Sequence, residues 1–152
     1  MLEAMLDWYR DGVLAKVHGI DDHAAHRAVV RSGTTISGLV KHLASAEDDW
    51  LTHRFAGNAQ PEPWASAPFD EDVDWEFHSA TAEPLAASVA LYGAACERSR
   101  AVCVGAELDQ LSRAGDPRFS LRFALVHLIE ETARHLGHLD ILRELADDSV
   151  GR

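Results

Sequence analysis

Cysteine is scarce in this sequence of 152 residues. Its two cysteines, Cys96 and Cys103, are seven positions apart in a segment that looks helical. Seven helical residues span about 10 Å, which is too far for a disulfide bond between the two side chains. We therefore expect two reduced, buried thiols and a cytoplasmic protein.

Long apolar runs are missing as well. No stretch approaches the roughly 18 uncharged apolar residues that a membrane-spanning helix needs. The N-terminus has no basic segment followed by a long apolar run, so the sequence does not predict a secretory signal. Neither a membrane span nor secretion is expected.

Basic residues are few relative to acidic ones. Lys and Arg together number 14 against 25 for Asp and Glu, which gives a net charge of −11. An acidic surface repels phosphate, so neither nucleic acid nor an anionic membrane is an expected partner. A nuclease is disfavoured on the same ground, and the sequence shows no acidic two-metal cluster on a basic cleft.

Histidine, by contrast, is abundant, with nine residues in the chain. Hydrophobic residues make up 47% of the sequence, so a chain of this length can bury a core as one domain over residues 1–152. The open question is whether the histidines are surface residues or ligands.

Apolar periodicity predicts an all-α protein. The predicted helices cover residues 2–18, about 35–55, 81–105 and 121–146, with a short helical turn within 21–31. Thr34 or Thr35, Thr81 and Ser120 are the candidate N-caps. Residues 58–80 have no clean period and are interpreted as a long crossover loop with room for one short helical turn. Four such helices predict an antiparallel four-helix bundle with a long crossover.

The last helix carries a polar stripe beside its apolar face. The stripe is His127-x3-Glu131-x3-His135-x2-His138, and Glu131 and His135 lie on its inner edge, one turn apart. His42 lies at the edge of the apolar face of the second helix. Together, His42, Glu131 and His135 would make a two-histidine, one-carboxylate set with open positions, the pattern of a catalytic metal site.

Spacing alone leaves an alternative. Glu131 and His135 would equally form an exposed hydrogen-bonded pair at i, i+4, with His42 as a boundary residue. The stripe is not a zincin motif, because His-Glu-x-x-His does not occur.

Two stretches resemble the DinB-like superfamily, specifically its maleylpyruvate isomerase and mycothiol S-transferase-like branch. The first covers residues 32–43, followed by Glu47 and Trp50, and the second covers residues 121–123 and 127–140. Many members carry a His-x3-His pair on the last helix. Here its first position is Glu131, as in that branch.

The resemblance implies a DinB-like four-helix bundle that holds a divalent metal with His42, Glu131 and His135. Zinc is the expected metal, with nickel or iron(II) as alternatives. It also implies a mechanism in which a low-molecular-weight thiol of the mycothiol type binds the metal as a thiolate and transfers to an electrophile. The expected partners are therefore a small-molecule thiol, an electrophile and, as in relatives, a second copy of the chain in a homodimer.

Two activities stay open at this point. The isomerase-type enzymes carry further residues beyond the bundle, so a plain S-transferase is the favoured expectation. The alternative is a non-catalytic, stress-associated metal-binding bundle.

Other polar residues near the proposed ligands are candidates for a pocket or for orienting a ligand. Glu47 lies inside an apolar face, so it either orients a ligand histidine or pairs with an arginine of another helix. Asp49 shares the edge of His42, and Arg134 and His138 flank the predicted site.

Overall fold

The computed structural model describes residues 1–115 and 117–150. It is helical as predicted, and the described residues contain no strand beyond one isolated bridge between Leu111 and Ser120. The helices are α1 (Leu2–Val17), α2 (Asp22–His26), α3 (Ile36–Glu47) with a π-helical continuation (Asp48–Phe55), α4 (Trp75–Ser79) with a 3-10 turn (Ala80–Ala82), α5 (Leu85–Cys103) and α6 (Leu121–Asp147). No described helix is both long enough and apolar enough to cross a bilayer.

Two of the predicted N-caps are confirmed. The Thr35 side chain accepts a hydrogen bond from the backbone N–H of Gly38, and the Ser120 side chain accepts one from that of Phe123. Each hydroxyl satisfies an amide that the first helical turn leaves without a partner. These caps fix where the two helices that carry His42 and Glu131 begin.

The predicted cap at Thr81 is wrong. Its hydroxyl donates to the carbonyl of His78, and α5 begins only at Leu85. The reason is Pro84, whose ring disfavours helical geometry in the residue before it. Glu83 is accordingly extended, at φ −125° and ψ 155°, which separates the turn at 80–82 from α5.

The second long helix ends near Phe55 as predicted, but its last eight residues form π-helix. The wider turn changes the angular spacing of side chains beyond Glu47. Asp49, which the sequence predicts on the same edge as His42, instead contacts the following loop, where it accepts a hydrogen bond from the side chain of Gln60. In the same segment, His53 Nδ1 meets the carbonyl of Asn58.

The arrangement of the long helices places α3 beside α6. α1 packs along α6, and α3 packs against both α5 and α6. Gly12 permits the close approach of α1 and α6, because a Cβ there would lie 2.8 Å from Cδ2 of Leu136. Leu39 and Leu43 of α3 and Leu139 of α6 are buried in the same core cluster, so the polar edges of α3 and α6 come together beside it.

Candidate metal centre

Three side chains converge between α3 and α6. His42 Nε2 lies 3.2 Å from Glu131 Oε1, and His135 Nε2 lies 3.0 Å from the same oxygen. One ligand atom from each residue lies within 4.8 Å of the other two. The side chains are only 24%, 21% and 12% exposed for His42, Glu131 and His135, so they sit in a partly dehydrated site that solvent still reaches.

A fourth residue, Glu76, fixes the orientation of His42. Its Oε1 lies 3.0 Å from His42 Nδ1, and the residue is 8% exposed. Glu76 belongs to the short helix α4, in the crossover between the second and third long helices. A carboxylate on Nδ1 holds the ring so that Nε2 points at Glu131, as in the carboxylate–histidine pairs behind metal ligands.

The electrostatics of the cluster favour bound positive charge. Burial lowers the pKa of His42, but the hydrogen bonds and charges of Glu76 and Glu131 outweigh it, so the pKa of His42 is raised. The pKa of Glu131 is lowered, because hydrogen bonds and charge from His42 and His135 overcome the opposing effect of burial. Burial lowers the pKa of His135.

The donor set fits a divalent cation. When Nδ1 of His42 donates to Glu76, the lone pair of Nε2 faces the oxygen of Glu131, and two acceptors at that distance repel unless a proton or a cation lies between them. Ligand atoms about 2.1 Å from a tetrahedral zinc are about 3.4 Å from one another. The two contacts to Glu131 Oε1, at 3.2 and 3.0 Å, are slightly shorter, so small side-chain movements would bring these atoms to that spacing.

Of the other predicted site residues His138, Arg134 and Asp49, only His138 contacts one of the three converging side chains. His138 is exposed, and its Nδ1 lies 3.3 Å from Nδ1 of His135, so it adjoins the site. Arg134 is exposed on the outer side of α6. Asp49 contacts Gln60 and Arg54 and is not a member of the converging group.

Glu47 faces away from the cluster and pairs with Arg10. The guanidinium donates to both carboxylate oxygens at 2.7 and 2.6 Å, and both residues are buried. Of the two roles that the sequence left open for Glu47, the geometry corresponds to the pairing with an arginine of another helix.

The cysteines are not poised as nucleophiles. Both are buried and free. Burial raises the pKa of the Cys96 thiol to about 12 and that of Cys103 to about 11. Since the thiolate is the reactive form, the sulfur of any thiol chemistry here has to come from a substrate.

A comparison with known families is consistent with this reasoning. The family model described as mycothiol-S-transferase matches residues 1–148. The chain belongs to the mycothiol-S-transferase family. The predicted resemblance to the mycothiol S-transferase-like branch is therefore confirmed. No curated protein and no solved structure gives a significant match.

Glu76 is the residue of this mycothiol-S-transferase family member that sequence reasoning missed. It lies within residues 58–80, which show no period and match no pattern that we identified. The available signal is local, because Glu76 stands between Trp75 and Phe77. A carboxylate between two aromatic residues indicates a segment that packs onto the bundle rather than a solvated loop.

Proposed function

We propose that this chain is a metal-dependent S-transferase that uses a low-molecular-weight thiol of the mycothiol type. In this proposal His42, Glu131 and His135 hold one divalent cation, with zinc preferred over nickel or iron(II) because it readily takes two imidazoles and one carboxylate. The observation that carries the proposal is the convergence of both histidine Nε2 atoms on Glu131 Oε1 in a member of the mycothiol-S-transferase family.

The charge balance of the site supports thiol activation. Two neutral imidazoles and one carboxylate would leave a divalent cation held by them with a net charge of about +1, and such a cation would lower the pKa of a bound thiol. In the transfer, the thiol would give its proton to solvent and its sulfur would bond to the electrophilic carbon. The bond from that carbon to the leaving group would break, with the electron pair going to the leaving group.

Two neighbouring side chains orient the candidate histidine ligands. Glu76 holds His42 through Nδ1, and His138 lies against Nδ1 of His135. Each of these contacts leaves the Nε2 atom of its partner pointing at Glu131. The rings of His42 and His135 meet edge to face, with centroids 5.0 Å apart, and the Nε2 atoms of both rings lie within 3.2 Å of Glu131 Oε1.

Turnover is favoured over a purely structural metal site. A structural zinc site is closed by four protein ligands. Among the described residues, the candidate group contains three. The partial exposure of these side chains leaves room for a thiol, and cytoplasmic reducing conditions, which the free cysteines suit, would keep that thiol reduced.

A conjugation assay tests the proposal. Zinc-loaded protein is mixed with mycothiol and monobromobimane, and formation of the fluorescent conjugate is followed. We expect a rate well above that of the uncatalysed reaction, loss of the rate after removal of the metal by a chelator, and recovery on adding zinc. Metal-loaded protein that never exceeds the background rate, with any thiol tested, would favour the non-catalytic alternative.

Replacing Glu76 by glutamine is expected to weaken zinc binding by about 10- to 100-fold. Glutamine keeps the volume and an acceptor at His42 Nδ1 but removes the negative charge that makes the imidazole a better donor. Competition with a chromophoric chelator measures the change. The control is Asp70→Asn, which removes an exposed carboxylate from the same crossover. Equal zinc affinities of the two variants would contradict the role given to Glu76.

A further inference from the structure

A recess of about 410 Å³ lies where the π-helical continuation of α3, the end of α5 and the segment before α6 meet. Its charged lining residues are Arg98 and Arg113, its uncharged polar ones are Thr52, Asn58 and Gln110, and the rest of its wall is alanine, valine and phenylalanine. Among the described residues, no acidic side chain lines this arginine recess, and none of the three candidate metal ligands does. Its volume is in the range of small-molecule sites.

The guanidinium of Arg98 is held in place by a buried carboxylate. Its Nε and Nη2 donate to the two oxygens of Asp48, each at 2.8 Å. Asp48 is fully buried and also accepts a hydrogen bond of 2.8 Å from Nε1 of Trp64. No described residue accepts a hydrogen bond from Nη1 of Arg98. Arg98 therefore lines the recess with a fixed guanidinium that has donors left for a ligand, and its ordering adds little to the entropic cost of binding.

Arg113 is brought to the recess by contacts with the end of the π-helical segment. Its backbone N–H donates to the carbonyl of Phe55 at 2.9 Å. Gly57 has a positive φ of 70°, and a Cβ there would lie 2.9 Å from Cβ of Arg113, so glycine permits this close approach. Among the described residues, the guanidinium makes one long hydrogen bond, 3.4 Å from Nη1 to the carbonyl of Ala56. Its charge is not neutralised by that contact.

The hydroxyl of Thr52 lacks a partner. The residue is 5% exposed, and its Oγ1 is buried without a hydrogen-bond partner among the residues that the structure describes. Burying a hydroxyl in this way is unfavourable. Because Thr52 lines the recess, a polar group bound there can supply the missing partner.

The charges around the recess select a class of ligand. Even with the buried carboxylate of Asp48 counted, the two guanidiniums leave one positive charge beside an apolar wall, in a chain of net charge −11. A carboxylate carries one negative charge, and its two oxygens suit guanidinium donors. A phosphate group carries about −1.5 to −2. We infer that the arginine recess binds a small organic carboxylate, with its charge on Arg98 and Arg113 and its apolar body against Phe55 and Val102.

Titration with benzoate tests this inference. Benzoate places one carboxylate on an apolar ring, and benzamide has nearly the same shape without the charge. We expect zinc-loaded protein to bind benzoate with a Kd of about 1 mM or lower. Benzamide should bind at least about tenfold more weakly, because charge-assisted hydrogen bonds are lost. Inorganic phosphate should not displace benzoate. Chemical-shift changes in NMR spectra measure the Kd values.

Two variants locate the bound carboxylate. Arg113→Gln is expected to raise the benzoate Kd about tenfold and Thr52→Val about fivefold, the effects of losing one charged and one neutral hydrogen bond. Thr52→Val removes a hydroxyl without a described partner, so its urea unfolding midpoint should not fall. The matched control is Arg122→Gln, an exposed arginine outside the recess, which should bind benzoate like the wild type.

The His135→Ala variant separates this site from the candidate metal centre, because carboxylates also bind zinc. Equal benzoate Kd values in the wild type and in His135→Ala would support the arginine recess. Binding that is lost in His135→Ala would place the carboxylate at the metal and overturn the inference. Equal affinity for benzamide, displacement by phosphate, or unchanged Kd values in Arg113→Gln and Thr52→Val would overturn it too. No outcome depends on conjugation activity, so this inference and the proposed function can fail separately.

Discussion

Replacing His135 by alanine is expected to abolish stoichiometric zinc binding. The substitution leaves Glu131 and His42 as the only members of the converging set, and two ligands do not hold zinc against competing buffers. Loss of a residue that only hydrogen-bonds a metal ligand already lowers metal affinity about 10- to 100-fold. We therefore expect a loss of more than about 100-fold for the ligand itself, measured by elemental analysis and by chelator competition.

Conjugation activity should fall together with the metal content. His135 is half-buried at the edge of the core, and its removal opens only a small space, so the variant should remain helical by circular dichroism. The control is His18→Ala, an exposed histidine at the end of α1, which should retain both zinc and activity. Full metal occupancy in His135→Ala would refute the ligand assignment.

The features that could be predicted from the sequence are those set by residues close to one another in the chain. Caps act within three residues, so Thr35 and Ser120 are readable from the sequence. The cap at Thr81 fails because a second local rule competes with it, the constraint that Pro84 places on Glu83. The π-helical segment after Glu47 has no signal in the sequence that we recognised, and its wider turn changes the angular position of Asp49 relative to His42.

The candidate site shows the same limit more sharply. The spacing of Glu131 and His135 places them on one helical edge, but the choice of His42 as their partner depends on how α3 and α6 pack. The family resemblance identified His42 as the partner, because spacing alone was equally compatible with an exposed hydrogen-bonded pair of Glu131 and His135. The contact between Glu76 and His42 could not be predicted from the sequence, because the path of the crossover sets it and the crossover has no periodicity.

Replacing Glu47 by glutamine is expected to destabilise the fold by about 3 kcal/mol, at the lower end of the range for breaking a buried ion pair. Glutamine has nearly the volume of glutamate, so the change removes charge and leaves the packing intact. Arg10 is 3% exposed and would keep its charge without its main counter-charge. Asp7, whose Oδ1 lies 2.8 Å from Arg10 Nη1, offsets part of the loss, which is why the low end is expected. Urea unfolding measures the change.

Two further variants test whether the loss of stability in Glu47→Gln comes from the unpaired, buried charge of Arg10. Asp109→Asn breaks the ion pair with Arg122, whose side chains are 83% and 50% exposed, and should cost less than about 1 kcal/mol. The double replacement Arg10→Met, Glu47→Leu removes both buried charges and should recover most of the stability, because apolar pairs often substitute for buried ion pairs. Asp7 keeps Arg100 as a partner in that variant. If the double variant were no more stable than Glu47→Gln, the loss would come from the shape of the site and not from an unpaired guanidinium.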